Sequence, residues 1–382
     1  MAESESHRIY ADHNATSPVR PEAVQAMLTV LEQVPGNPSS IHREGREASG
    51  FLEKARAQVA GLVGAEPREV VFTSGATEAA NLAIRALTAR FSSGRIVLSA
   101  IEHPAVANSC DLLRHRGFQV EVLPVTRQGT LDMEQASRAL RSKALVVCVM
   151  LANNEVGTIQ PIEDLAPLVR DVGAFFVVDA VQAAGKIPVD IQKLGADILL
   201  LSAHKFGGPK GVGAMVVRRG TRLEPVLGGG GQEFGLRPGT QNLPGIAGMG
   251  AAAEAARRDL PKERERLEDL RDTMEKALVT RLDGTRVMGH TALRLPNTSN
   301  LVFDAVEGDA LQMNLDLEGI AVSTTSACSA GTGRPSRVLQ AMGLDSVTAA
   351  SSIRISLGWT NGDKDGKRIA RVVEATVTAL RK

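Results

Sequence analysis

The chain has 382 residues, 43% of them hydrophobic and 23% charged, with 44 Lys and Arg against 43 Asp and Glu. These proportions fit a soluble globular protein of two domains or one large one, and exclude disordered, collagen-like and membrane-spanning classes. The near-zero charge balance gives no global pull toward nucleic acid or anionic lipid, and three cysteines without a C-x-x-C pair supply neither a disulfide framework nor a zinc knuckle.

In chain order, the opening MAESESHRIYADHN carries acids and no apolar stretch, so it does not read as a signal peptide. The longest apolar run, 144–152, is far below the ~20 residues of a membrane helix. A cytoplasmic protein is expected. Short apolar runs then alternate with helical stretches. The runs are EVVFTSG (69–75), RIVLSA (95–100), FQVEVLPV (118–125), ALVVCVMLA (144–152), AFFVVDA (174–180) and ADILLLSA (196–203). Most are β-branched and apolar on both faces, as strands between two helix layers must be. Helices are expected at 76–90, 105–116, 132–141 and 162–172. The alternation predicts an α/β fold with a mostly parallel central sheet between helices and right-handed crossovers.

Near residue 220 the pattern changes. A glycine-rich loop, LGGGGQEFGLRPGT (227–240), leads into an Ala-rich helical stretch (246–257) and a charge-dense one (262–278). TSNLVFDA (298–305) and SSIRISLG (351–358) alternate in the manner of a smaller α+β domain. The predicted division is 15–260 for a large domain and 261–382, with 1–14, for a small C-terminal one, Pro261 lying in the connector. The charge run reads as the solvated face of a linking helix.

In an open α/β sheet, ligands sit at the carboxyl ends of the strands. Those ends carry Ser74-Gly75-Ala76-Thr77, Glu102-His103, Asn153-Asn154-Glu155, Asp179 with Gln182, and Ser202-Ala203-His204-Lys205. Taken singly, each has an ordinary use. Lys205 could be a solvated loop lysine, Asp179 a helix cap, His103 a helix start, Thr77-Glu78 ordinary capping and Asn153-Asn154 a turn. Their convergence on one rim favours chemistry. A lysine at the end of an apolar strand is desolvated and can form a Schiff base. An acid on the neighbouring strand can hold a ring nitrogen protonated. The Ser-Gly-Ala-Thr turn opening a helix is a phosphate seat, and a flat histidine can stack on a heteroaromatic ring. Together these are the signature of pyridoxal 5'-phosphate (PLP). No G-x-G-x-x-G or Walker A pattern stands in the right context.

Toward the C-terminus, Cys328 lies in a run of small residues, STTSACSAGTG (323–333), which predicts an accessible and mobile thiol. Cys148 and Cys110 read as packed and inert. Arg354 alternates with Ile353 and Ile355. It either faces a cleft, where its fork suits a substrate carboxylate, or pairs with a neighbouring acid.

These motifs together resemble the cysteine desulfurases of the NifS/IscS type, class-V aminotransferases within the fold-type I PLP-dependent transferases. The stretches that carry the likeness include GNPSSIHREG (36–45), VFTSGATEAANLAI (71–84), NNEVGTIQPI (153–162), VDAVQAAGK (178–186), SAHKFGGPKGVGA (202–214) and TSACSAGTGRPSRVL (325–339). The resemblance implies that Lys205 carries PLP, with Asp179 on the pyridine nitrogen and Gln182 on the ring hydroxyl. It places His103 on the ring, and Ala76, Thr77, Ser202 and His204 at the phosphate. Thr240 reaches the partner subunit's phosphate in a homodimer. Asn37, Asn154 and Arg354 hold the substrate, Asn154 also facing the cofactor. Cys328 is the nucleophile that takes sulfur from L-cysteine, leaves L-alanine, and passes the persulfide to an acceptor for iron–sulfur assembly or for tRNA or cofactor thiolation. The longer loop before SRVL fits direct hand-over. No metal, membrane or direct nucleic-acid contact is implied. Alternatives are a selenocysteine lyase or another PLP aminotransferase or lyase of the fold, and a non-catalytic scaffold. Ala203 before His-Lys, His13-Asn14, and Phe234 with Pro238 depart from the family's usual pattern.

Overall fold

The computed structural model describes residues 8–324 and 335–382. Its strands, in order, are β1 (Ile9–Tyr10), β2 (Val70–Thr73), β3 (Gly94–Ser99), β4 (Phe118–Leu123), β5 (Val146–Cys148), β6 (Phe175–Asp179), β7 (Ile198–Ser202), β8 (Gly213–Val217), β9 (Thr285–Val287), β10 (Thr298–Phe303), β11 (Ile320–Ala321), β12 (Ser323–Thr324) and β13 (Ser352–Ser356). The α-helices are α1 (Pro21–Gln33), α2 (Arg43–Leu62), α3 (Ala76–Thr88), α4 (Pro104–Asp111), α5 (Met133–Ala139), α6 (Ile162–Asp171), α7 (Leu243–Arg281), α8 (Gly308–Leu317), α9 (Arg337–Ala341), α10 (Ser346–Ala350) and α11 (Asp363–Leu380).

Seven strands form one sheet in the order β2-β8-β7-β6-β5-β3-β4, with β8 alone running against its neighbours. Successive strand residues point to opposite faces, and the core sorts accordingly. Leu199 and Leu201 of β7, Phe176 and Val178 of β6, and Phe72 of β2 enter one cluster with residues of α2, α6 and the first half of α7. Ile198, Leu200, Val177 and Val71 enter the other, against α3 and α4. Burial on both faces is why these strands read as unbroken apolar runs.

A second sheet, β12-β13-β10-β9, is antiparallel and packs with β1, β11, α8, α11 and the second half of α7 around its own core of Leu301, Phe303, Ile353, Ile355, Leu270 and Met274. Apart from Ile9 and Ala11 in the small core and Leu295 in the large one, the two cores lie on either side of Pro261 along the chain, but the chain does not break there. The helix α7 runs through it. Pro261 and Arg257, whose carbonyl loses its helical donor, are both exposed, so water replaces the missing bond.

Two other differences from the sequence reading have local causes. The apolar run 144–152 keeps only Val146–Cys148 as strand, because the chain then turns to bring Asn153 and Asn154 to the rim. The strand β8 is hidden in a glycine-rich stretch. A Cβ on its Gly213 would sit 2.7 Å from the Cα of Gly75, so glycine there lets β8 approach the turn that opens α3.

The N-terminal segment links the two halves. Ile9 and Ala11 belong to the small core, while the Ser17 N–H donates to the His204 carbonyl at 2.7 Å. Between them His13 is buried, bonded to Ser17 (2.9 Å) and Thr360 (3.0 Å). Burial, reinforced by Lys186, lowers its pKa from 6.5 to about 3. An unfolded chain takes up the proton at pH 6.5 and the folded one does not, so this group's contribution declines as pH falls from 6.5 toward 3. Glu155 tilts the other way. Burial lifts it to about 7, which penalises the fold as pH rises from 4.5. The difference between variants isolates His13. In urea titrations, His13→Gln is expected to lose about 1–2 kcal/mol less than wild type between pH 7 and pH 5. Equal losses would show that His13 is not held neutral.

Candidate active site

A cavity of 530 Å³ opens at the carboxyl ends of β2, β6 and β7 and beside α4. It is lined by Ala76, Thr77, His103, Asn154, Asp179, Gln182, Ser202, His204, Lys205 and Arg354. Every candidate site residue named above within the described regions is among them except Asn37 and Thr240, which are exposed and do not line it. Cys328 lies outside the described residues. A larger groove between α7 and α11, of 770 Å³, is walled by side chains such as Arg266 that are already ion-paired at the surface, and it gathers no comparable set.

Lys205 stands in the single 3-10 turn that follows β7. Its half-buried amine donates to the Asn14 carbonyl at 2.5 Å and the Ala15 carbonyl at 2.8 Å. Asp179 ends β6 and is buried. One of its oxygens accepts the Val181 N–H at 2.9 Å. Burial raises its pKa, while the Val181 N–H, His103 and Lys205 pull the other way. His103 caps α4, its Nδ1 accepting the Ala105 N–H at 3.1 Å. That bond assigns the ring proton to Nε2. Burial lowers the pKa of His103 despite Asp179, so the ring is neutral. Asp179 and His103 thus fill their ordinary local roles, turn and cap, while facing the cavity.

At the other end, Gly75 precedes the first turn of α3, where Ala76 and Thr77 line the cavity and backbone N–H groups at the helix start lack helical partners. Glu78 also lines the cavity, but its carboxylate is engaged. It accepts from Ser74 N (2.5 Å) and pairs with Arg237 (2.8 Å). Ser202 and His204 lie nearby. His204 bonds Thr16 at 3.2 Å, and burial beside Lys205, Lys210 and Lys186 lowers it to about 4. A neutral imidazole serves a phosphate as a hydrogen-bond partner without adding charge.

Arg354 comes from β13, in the second sheet. It is 3% exposed. Its Nη1 donates to the Asn154 carbonyl at 3.0 Å and its Nη2 pairs with Asp12 at 2.7 Å. Arg354 thus both lines the cavity and has an acid partner. Asp12 also accepts from Ser323 at 2.8 Å.

Sequence reasoning gave no role to four groups that organise this site. Asp12 and Asn14 sit in the N-terminal segment. Asn14 accepts from Gln182, Lys186, Lys205 and Asn297 and donates to Asn154 and Thr298. Glu102 is buried behind Asp179, accepting from Met150 N at 2.7 Å, and burial holds it well above the usual carboxylate range. Glu155 accepts from Ser336, the cap of α9. The polar cluster ADHNATS was the one available signal for the first pair.

The family described as Aminotransferase class-V matches residues 9–369. The chain belongs to that family. It is 42% identical to cysteine desulfurase IscS of Dictyoglomus turgidum over 98% of this chain and 95% of that one. A solved NifS-like protein superposes with a TM-score of 0.90 at 37% identity, covering 97% of this chain and 100% of the other. A structure titled SspA in complex with cysteine gives 0.81 at 34% identity, over 91% and 98%. The expected fold, a fold-type I architecture with a mostly parallel sheet and a separate antiparallel one, is thereby established.

Members of this family depend on PLP, and the residues present fit it. Asp179 is a buried acid whose raised pKa marks missing positive charge, which a protonated ring nitrogen supplies. The start of α3, with Ser202 and His204, offers neutral donors to a phosphate. Lys205 supplies the amine, and no helix among the described residues is long and apolar enough to cross a membrane.

Proposed function

We propose that this cavity takes free L-cysteine and releases L-alanine, the sulfur leaving as a persulfide on Cys328. The observation that carries the proposal is that a buried arginine from one sheet shares a single cavity with the Lys205, Asp179 and His103 set of the other. When bound, PLP supplies an electron sink for negative charge at the substrate Cα.

The chain's own residues do the rest. Arg354, braced by Asn154 and Asp12, orients the substrate carboxylate. Lys205 removes the Cα proton and returns it. His103, with its proton on Nε2, would be available to exchange protons with the bound substrate. Asp179 stays ionised once a ring cation faces it. The Cys328 thiolate attacks the substrate sulfur. An S–S bond forms, the C–S bond breaks, and its electrons stay with the carbon framework, which takes up a proton on the way to alanine.

The acceptor is a protein of iron–sulfur assembly or of tRNA or cofactor thiolation, and the setting is the cytoplasm. The exposed Thr240 and Asn37 suit a homodimer in which each subunit completes its partner's site. Cys328→Ala is expected to keep the yellow colour of PLP-loaded protein and to lose sulfide release from cysteine. Undiminished release would defeat the proposal and favour a lyase or aminotransferase that needs no thiol. A wild-type protein that stays colourless with added PLP would favour a non-catalytic scaffold.

A further inference from the structure

Lys186 is buried at 9% exposure, and no carboxylate among the described residues pairs with it. Its amine donates to Gln182 Oε1 at 2.6 Å and to Asn14 Oδ1 at 3.2 Å. The ionised groups acting on it are Lys205 and Arg354, both cationic, and it acts in turn on His13 and His204. Burial, then those two cations, hold its pKa well below the ordinary lysine value. Both of its partners are side-chain carbonyl oxygens, which accept its hydrogens.

The two bonds have a directional consequence. An amide cannot be oriented by its shape, since its oxygen and nitrogen ends are nearly the same size. It is oriented by its partners. Lys186 is the donor in both bonds, so it claims the oxygen of Gln182 and leaves the NH2 group on the other side. That NH2 donates one hydrogen to the Asn14 carbonyl at 2.9 Å. Its second hydrogen remains for the cavity that Gln182 lines. Lys186 likewise claims Asn14 Oδ1, together with Asn297 at 3.1 Å, and this turns Asn14 Nδ2 toward the Asn154 carbonyl and Thr298. One buried amine therefore helps fix the flip of two amides, Gln182 together with the Asn14 carbonyl and Asn14 together with Asn297. Lys186 does not itself line the cavity.

We propose that Lys186 is a positioning residue that acts through Gln182, holding its NH2 group toward the ring oxygen of PLP. This rests on the PLP reading of the cavity. A donor at the ring oxygen drains charge from it, so the adjacent nitrogen holds its proton less tightly. Loss of the donor raises the pH midpoint of the visible band of PLP-loaded protein.

The test compares wild type, Lys186→Met, Gln182→Met and the double variant in two measurements, PLP affinity of the cofactor-free protein and the pH midpoint of the visible band. Lys186→Met is expected to weaken PLP binding ~10-fold and raise the midpoint by about half a unit, while the double variant matches Gln182→Met. An unchanged midpoint in Lys186→Met, or effects that add in the double variant, overturns the proposal. A purely structural role would lower the melting temperature of the cofactor-free protein and leave the midpoint unmoved. If Lys186→Met does not fold, Lys186→Ala, which also removes the donor hydrogens, takes its place with the same criteria. Wild-type protein that binds no PLP would instead sink the cavity's reading, an outcome distinct from a silent Lys186.

Discussion

Lys205→Ala is expected to give a protein that folds, lacks the visible band of the wild type when mixed with PLP, and releases sulfide at least ~10³-fold more slowly. The expectation follows from where the amine sits. It is the one lysine that both lines the cavity and lies within reach of the Asn14 and Ala15 carbonyls at its inner wall. Lys210 lines the same cavity but is exposed, and Lys186 lies behind the wall. Neither can substitute. The phosphate seat at the start of α3 and the acid at 179 are untouched by the change, so PLP should still bind reversibly, with the spectrum of the free aldehyde. Absorbance after gel filtration separates these states, since a reversibly held cofactor washes out. A wild-type band together with undiminished sulfide release would remove Lys205 from the chemistry.

What was legible in the sequence follows a physical pattern. Strands buried on both faces, such as ILLLS and FFVVD, announce themselves because nothing polar can interrupt them. The residues just past their ends stand out for the same reason: the first polar group after an apolar run must lie at the rim, where Asp179, Ser202 and Lys205 are found. Features that depend on partners far along the chain left no such mark. Asp12 meets Arg354 across 342 positions, and Asn14 meets Asn297 across 283. Each looks locally like any polar residue near a terminus. Lys186 follows Ala-Ala-Gly with nothing local to tell a buried lysine from a solvated one, and only its bonds to Asn14 and Gln182 do so. The continuity of α7 was obscured by Pro261, whose helix-breaking habit is relieved when the orphaned carbonyl faces water.

Arg354→Lys is expected to lower kcat/KM for cysteine by ~10²- to 10³-fold, mostly through KM, while PLP binding persists. The guanidinium is pinned at both ends before substrate arrives, by the Asn154 carbonyl at 3.0 Å and Asp12 at 2.7 Å. Its Nε is buried without a partner. A planar fork can meet a second carboxylate while keeping these bonds, and an ammonium on a shorter, flexible stem cannot. The same geometry warns of a confounding effect. Removing the fork leaves the half-buried Asp12 with Ser323 as its other side-chain bond, and that alone loosens the link between the N-terminal segment and β13. A substrate without a carboxylate separates the two causes. Cysteamine offers the same amine and sulfur, so its kcat/KM is expected to be equally low for wild type and Arg354→Lys. If cysteine and cysteamine lose activity in the same proportion, Arg354 serves only to hold Asp12, and the substrate carboxylate must be bound elsewhere in the cavity. If cysteine alone suffers, the second sheet delivers the group that orients the amino acid, and the first sheet delivers the groups that act on it.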